Sequence, residues 1–422
     1  MKILIVTYTF PPSKSVNSQR PYYFANTLLN AGHQVHILTR HFTGQERQDA
    51  MNTINKTPFS LTIESGIHIY RVPFKNAWFW YDRWTFGKRT GIWHLIYFIQ
   101  LLSGRLSQES YNKWFQVYLS ELIKSNRYDR VIVESGPTNL VRLVSKVCTC
   151  LKLPYLIDFR DAYYHDMYRK DQRFISMNRK LKIFFEKHYM VSSIRHALKC
   201  ITLNNQMGKI LSIPEDKLII IPNGYDEGKW ELVERSFKQG TNARFQILIG
   251  GKVYNLPFLQ TMLETLRIFL TFNPKDTGIL FIAPGSSEVI NMIRKNLPYP
   301  EVKIIEERIG ADSIIQAYLN SHVLLYHGWP GYTGCMSTKI YDYIRSGKPI
   351  LIVPNDHDVI EDLLNDTKLG ICMDSPGEAA EILLRWYTSW KRDGFLNSDF
   401  KKSDVGRYAR TAFDETLQSC IN

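Results

Sequence analysis

The sequence contains no hydrophobic run long enough to cross a bilayer. Its longest apolar stretch, residues 92–102, is interrupted by His94 and Gln100 and falls short of the ~20 residues required. The apolar run at residues 3–6 is too short for a secretory signal and reads as a strand. Cys148, Cys150, Cys200, Cys335, Cys372 and Cys420 are scattered without paired metal-ligand spacing, so no metal site is expected. A chain this long needs no disulfide framework, and the thiols read as reduced residues of a cytoplasmic protein. Zinc-finger spacing, an RNA-binding aromatic signature and a basic heptad arm are all missing, so nucleic acid is not an expected partner. The loop at residues 13–20 holds no glycine, which removes the dinucleotide fingerprint of a Rossmann dehydrogenase.

What the chain has instead is positive charge and tryptophan. Its 53 Lys and Arg against 40 Asp and Glu give a net charge of +13, which points to a polyanionic partner such as a membrane face or a phosphorylated substrate. Within residues 76–118, Trp78, Trp80, Trp84, Trp93 and Trp114 are interleaved with Arg83, Lys88 and Arg89. Indoles at headgroup depth beside cations suit the surface of an anionic membrane, and an aromatic core beneath a long insertion accounts for the same residues. At 44% hydrophobic and 22% charged, 422 residues can bury large cores and imply two or three domains.

Strand and helix patterns alternate through both halves. Residues 2–7, 34–39, 129–134, 155–158 and 200–203 read as buried strands, with helical patterns over 18–30, 138–150 and 174–198. Residues 245–249, 279–283, 302–305, 322–326, 350–353 and 371–373 repeat the theme, which predicts parallel sheets covered by helices on both faces. Polar, poorly periodic sequence near residues 225–244 marks a hinge. In such sheets ligands lie beyond the carboxyl ends of the strands. Asn17, Ser18 and Arg20 after the first strand, and Arg160 and Asp161 after the strand at 155–158, are placed there as candidates. A structural Arg to Asp pair is the competing account of the last two.

Residues 334–349 carry the sharpest local signal. Ser337 or Thr338 reads as a helix cap and Gly347 as a stop, while Ile340 and Ile344 form the buried stripe. Lys339 then falls in the first helical turn, where the macrodipole disfavours a cation by about 0.3–1 kcal/mol and a bound phosphate reverses the sign. The competing account is a solvated Lys339 whose charge Asp342, three residues on, merely offsets. Gly250-Gly251-Lys252, following the strand at 245–249, lets backbone approach a ligand closely and sets a second cation beside it, and a plain turn accounts for the same residues. Convergence of these loops on one sheet edge would bring Lys252 and Lys339 to one diphosphate.

Several phrases resemble family 4 retaining glycosyltransferases. They are the opening Met-Lys-Ile-Leu-Ile-Val-Thr-Tyr-Thr-Phe-Pro-Pro with Arg20-Pro21 and Ala31-Gly32-His33, Ser135-Gly136-Pro137 with residues 153–161, residues 221–226, and residues 337–343 with Gly347-Lys348-Pro349. The resemblance implies an α/β fold of two facing Rossmann-like domains, the GT-B arrangement. Residues 1–215 would bind acceptor, 216–400 would bind the nucleotide-sugar donor, and a last helix within 401–422 would cross back to the N-terminal domain. It also implies roles. Lys252 and Lys339 would neutralise the departing diphosphate, and Gly250, Gly251, Thr338 and the backbone at Ile309 would contact the donor. Asp342 would hold the ribose, and Asn17, Ser18 and Arg20 would meet the acceptor. Arg160 and Asp161 would stand near the reacting sugar. Gly334 occupies the place of the family's first motif carboxylate.

A double displacement needs two carboxylates flanking the bond, and no such pair is evident in the sequence. The expected reaction is therefore front-face retaining transfer without metal or cofactor, from a nucleotide-diphosphate sugar to a glycan or lipid-linked acceptor. Its setting would be bacterial surface polysaccharide synthesis on the cytoplasmic side of the plasma membrane. A nucleotide-sugar epimerase on the same fold, or a non-catalytic nucleotide-binding scaffold, are the competing readings.

Overall fold

A computed structural model of the chain describes residues 1–13, 16–40, 60–72, 113–136, 138–160, 177–237, 244–253, 256–272, 274, 276–394 and 405–422. Asp161 and almost all of the Trp-rich segment lie outside the described residues, as do Lys14 and Ser15. The chain divides into two units, Met1–Ile221 joined by Asp414–Asn422, and Pro222–Phe413.

In the first unit the described strands are β1 (Lys2–Val6), β2 (Gln34–Arg40), β3 (Ser60–Glu64), β4 (Ile67–Val72), β5 (Arg130–Glu134), β6 (Tyr155–Phe159), β7 (Lys199–Thr202) and β8 (Leu218–Ile220). They form one sheet in the order β3-β4-β2-β1-β5-β6-β7-β8, parallel except for β3. Apolar, largely β-branched runs such as Ile3 to Val6 and Val131 to Val133 form its central strands because both faces are covered. The β3–β4 hairpin was not expected. Its turn, Ser65-Gly66, has both residues at positive φ, the geometry that matches a tight hairpin to strand twist. Leu218–Ile220 pairs with β7, so the first unit extends to Ile221 rather than closing near residue 215.

The second unit has β9 (Phe245–Gly250), β10 (Thr277–Ile282), β11 (Val302–Ile305), β12 (Val323–Tyr326), β13 (Ile350–Ile352) and β14 (Gly370–Cys372). Their order is β11-β10-β9-β12-β13-β14, all parallel. Alternate residues enter opposite cores, as the two-residue strand period requires. Leu248, Leu324, Tyr326 and Ile350 pack with Ile340 and Ile344 of the helix Lys339–Ser346. Ile247, Ile249, Val323 and Leu351 face Leu263 and Leu266 of the helix Leu256–Thr271. Strand order reverses between β9 and β12, and there the crossover connections leave by opposite faces and open a crevice.

The final helix that the resemblance implies is short. Residues 405–413 form 3₁₀ turns in the second unit, because Tyr225 claims their backbone: its N–H donates to Tyr408 O at 3.2 Å and its carbonyl accepts from Arg410 N at 3.0 Å. Only Asp414–Ser419 is α-helical, and it belongs to the first unit. There Tyr23 and Thr27 donate to Asp414 Oδ1, Arg130 Nε donates to Ile421 O at 2.8 Å, and Leu417 and Ile421 are fully buried.

Candidate active site

The helix Lys339–Ser346 forms where expected, and Gly347 ends it at φ +67°. Its carboxyl end is anchored by Arg345, whose guanidinium bridges Glu227 and Glu234 with contacts of 2.6–3.1 Å. At the other end Thr338 occupies the cap position in a helical conformation, and its side chain makes no capping bond. The first turn therefore keeps its positive end uncapped by side chains.

Lys339 projects from that turn toward the loop after β9. Its Nζ donates to Lys252 O at 2.9 Å and lies 4.6 Å from the centre of the Tyr326 ring. A Cβ on Gly251 would stand 3.3 Å from the same Nζ, and Gly251 has φ +78°, so glycine at this position serves both the turn and the close approach. Removal from water pushes the Lys339 pKa down to about 7. The loop's own amides are largely spent: Gly250 N donates to the buried Tyr343 hydroxyl, Gly251 N to Ile282 O and Val253 N to Pro284 O. The loop offers proximity and the exposed Lys252 side chain, and the helix offers Lys339. Both cations stand at the β9/β12 reversal, the natural place for an anionic ligand.

Asp342 is turned to another task than offsetting Lys339. Its Oδ1 accepts from the indole Nε1 of the fully buried Trp230 at 3.0 Å. Burial raises its pKa, with the indole bond opposing the rise. Among the described residues its Oδ2 makes no hydrogen bond. Gly334, at φ +72°, donates its backbone N–H to Asp358 Oδ2 at 2.7 Å. Ile309 is half-buried against the Ile315 and Tyr318 core, just before the helix Ala311–Asn320.

In the first unit the carboxyl ends of β1, β5 and β6 carry buried charge. Arg20, expected at the acceptor, instead clasps Asp158 through Nε (2.8 Å) and Nη2 (2.8 Å), with side chains 5% and 3% exposed. Its guanidinium is a packing element, directed inward. Arg160 donates to Glu134 Oε1 at 2.7 Å and to Asn17 O at 3.3 Å, which joins two of the expected residues. The Thr7 hydroxyl donates to the other Glu134 oxygen. Burial pushes the Glu134 pKa up, opposed by Arg160. Arg160 thus has a partner 26 positions earlier in the sequence. Ser18 is buried with its hydroxyl on Ser13 O at 2.8 Å, and Asn17 is exposed.

Sequence reading missed Glu134, Trp230 and His327. A charge closing an apolar strand, as Glu134 does, was the available signal for the first. Nothing local marked the other two. Among the described residues, no cluster of three His, Cys, Asp or Glu side chains is placed to hold a metal, and no helix is long and apolar enough to cross a membrane.

Two helix-covered parallel sheets, each with its loops gathered at a strand-order reversal, define the GT-B fold class. No protein-family model and no curated protein sequence matches the chain. Solved structures do. The UDP complex of Anabaena HepE is similar at a TM-score of 0.61 and 11% identity, covering 99% of each chain. An E. coli trehalose-6-phosphate structure bound with UDP-2-fluoro glucose is similar at 0.63 and 8% identity, over 100% of this chain and 99% of that one. Sucrose-phosphate synthase from Thermosynechococcus elongatus is similar at 0.59 and 12% identity, over 100% and 95%. At these identities the likeness is one of fold.

Proposed function

We propose that the protein is a retaining glycosyltransferase that moves a sugar from a UDP-sugar to a glycan or lipid-linked acceptor. The observation that carries the reading is Lys339 at the uncapped start of its helix, bonded to the backbone of Lys252 across the Gly250-Gly251 turn. Two ammonium groups on either side of a glycine turn can neutralise a diphosphate as it departs, without a metal. Solved relatives in fold that carry UDP or a UDP-sugar analogue favour uridine as the base. Asp342 Oδ2 would accept from a ribose hydroxyl, and the backbone at Ile309 would meet the base. The departing diphosphate would take the acceptor's proton, so no protein nucleophile is required. Arg160, held by Glu134, would face the acceptor or the reacting sugar. The acceptor belongs to bacterial surface polysaccharide synthesis, and the +13 charge favours work at an anionic membrane surface.

The test is a metal-free thermal-shift and calorimetry panel of UDP, GDP, ADP and CMP with their common sugar conjugates. A ligand at 100 times its Kd should stabilise the protein by about 2.7 kcal/mol. A shift with UDP and its conjugates supports the reading, and the anomeric configuration of the transferred sugar, read by NMR, decides retention. No shift with any nucleotide overturns it.

A further inference from the structure

Among the described residues, one imidazole nitrogen buried beside this site makes no hydrogen bond. His327 follows β12 directly, at the carboxyl edge where the strand order reverses, and its side chain is fully buried. Its ring stacks on Tyr326 at 4.5 Å, the same ring that lies under the Lys339 ammonium. Phe258 and Trp329 close around it at 5.7 and 5.3 Å. Nδ1 is 2.9 Å from Gly328 O. A carbonyl only accepts, so Nδ1 carries the proton and Nε2 presents a bare lone pair. Burial, with Lys339 nearby, pushes the imidazole pKa down to about 3, so the ring is neutral. That Nε2 is inaccessible to solvent and makes no hydrogen bond with any described residue. Buried acceptors are nearly always satisfied, and one left open next to a ligand crevice is a place for a ligand's donor.

We propose that His327 Nε2 is the hydrogen-bond acceptor for a hydroxyl of the transferred sugar, next to the diphosphate cations Lys252 and Lys339. The inference rests on the nucleotide-sugar reading and names its sugar contact. A diphosphate has no donor to give and the adjoining sugar has several, so a neutral acceptor beside two cations separates the two parts of one ligand by chemistry. The loop that would admit the sugar runs from Gly328 to the helix and turns at Gly331 and Gly334, both at positive φ.

The test compares UDP with UDP-glucose, UDP-galactose and UDP-N-acetylglucosamine on wild type, His327→Phe and His327→Gln. Phenylalanine keeps the ring packing without an acceptor, and glutamine returns an oxygen near the Nε2 position. Phenylalanine should weaken the bound conjugate about tenfold and leave UDP unchanged, and glutamine should restore much of the loss. Equal losses for UDP and conjugate, or no loss at all, overturn the proposal and leave the nucleotide-sugar reading standing. Failure of wild type to bind any nucleotide overturns both. A measurement on the unmutated protein guards against misfolded variants. With ¹⁵N-labelled histidine, saturating conjugate should move the His327 Nε2 resonance away from its bare-acceptor position while UDP alone does not. An unmoved resonance also overturns the proposal.

Discussion

The ammonium of Lys339 donates to the backbone carbonyl of Lys252 at 2.9 Å, across 87 residues of sequence. A cation is thereby held in place at the end of β9 before any ligand arrives, with little side-chain ordering left for binding to complete. Lys339→Ala should cost nucleoside diphosphate affinity about 10- to 100-fold, the range for a charge-assisted hydrogen bond, with no loss of melting temperature. Calorimetric titration of UDP on both proteins checks it. Equal affinity would remove the central claim for this site.

The same residue gives binding a pH dependence of defined sign. Its folded pKa of about 7 lies below the ordinary 10.5, so the unfolded chain holds the proton more tightly. The cost of charging Lys339 in the fold is full below about pH 7 and fades as pH rises through 10.5, so this group makes stability climb with pH across that window. A bound diphosphate favours the charged form. UDP affinity should therefore fall from pH 7 to 9, with proton uptake on binding revealed by titration in buffers of different ionisation heat. Lys339→Arg, always charged, should flatten the profile.

Asp342 separates support from ligand recognition. Asp342→Asn keeps an oxygen for the Trp230 indole and removes a charge whose pKa burial has raised, so stability should hold or rise slightly. UDP affinity should fall, since a neutral amide oxygen is the weaker acceptor for ribose. Trp230→Phe strips the indole donor from a fully buried ring and should destabilise the second unit by about 2–3 kcal/mol. Urea unfolding and calorimetry on the two variants distinguish these outcomes.

Arg20→Ala should destabilise the first unit by about 3–5 kcal/mol, because it leaves the Asp158 carboxylate buried without its bidentate partner. Arg20→Met with Asp158→Leu should recover much of that stability. Were Arg20→Ala to unfold like wild type, the pair would be incidental to the fold.

What could be read from sequence followed the range of the forces involved. The helix Lys339–Ser346, the Gly347 stop and the buried strand after it were legible because periodicity and the turn residue act within a few positions. The turn at Gly250-Gly251 and the lysines beside it were legible for the same reason. The pairing of Arg20 with Asp158 was not, since it spans 138 residues and local pattern leaves Arg20 looking like a free surface cation. Trp230 meets Asp342 across 112 residues and was invisible on the same ground. The final helix failed in the opposite direction. The resemblance implied a helix through residues 405–413, but the backbone of Tyr225 takes the hydrogen bonds of Tyr408 and Arg410 instead. His327 is marked only by a bond its Nε2 does not make, and no sequence pattern records that.

The return of Asp414–Asn422 to the first unit sets an order of events during synthesis. Leu417 and Ile421 complete that unit's core, yet they follow the whole of Pro222–Phe413 along the chain. At ordinary elongation rates the intervening residues take roughly 10–40 s to emerge from the ribosome. Through that interval the first unit exists with the side of the helix Gln19–Asn30 that receives Asp414 uncovered, while the second unit has all of its sequence before the first is finished. The nascent chain therefore completes its domains in the reverse of the order in which it starts them.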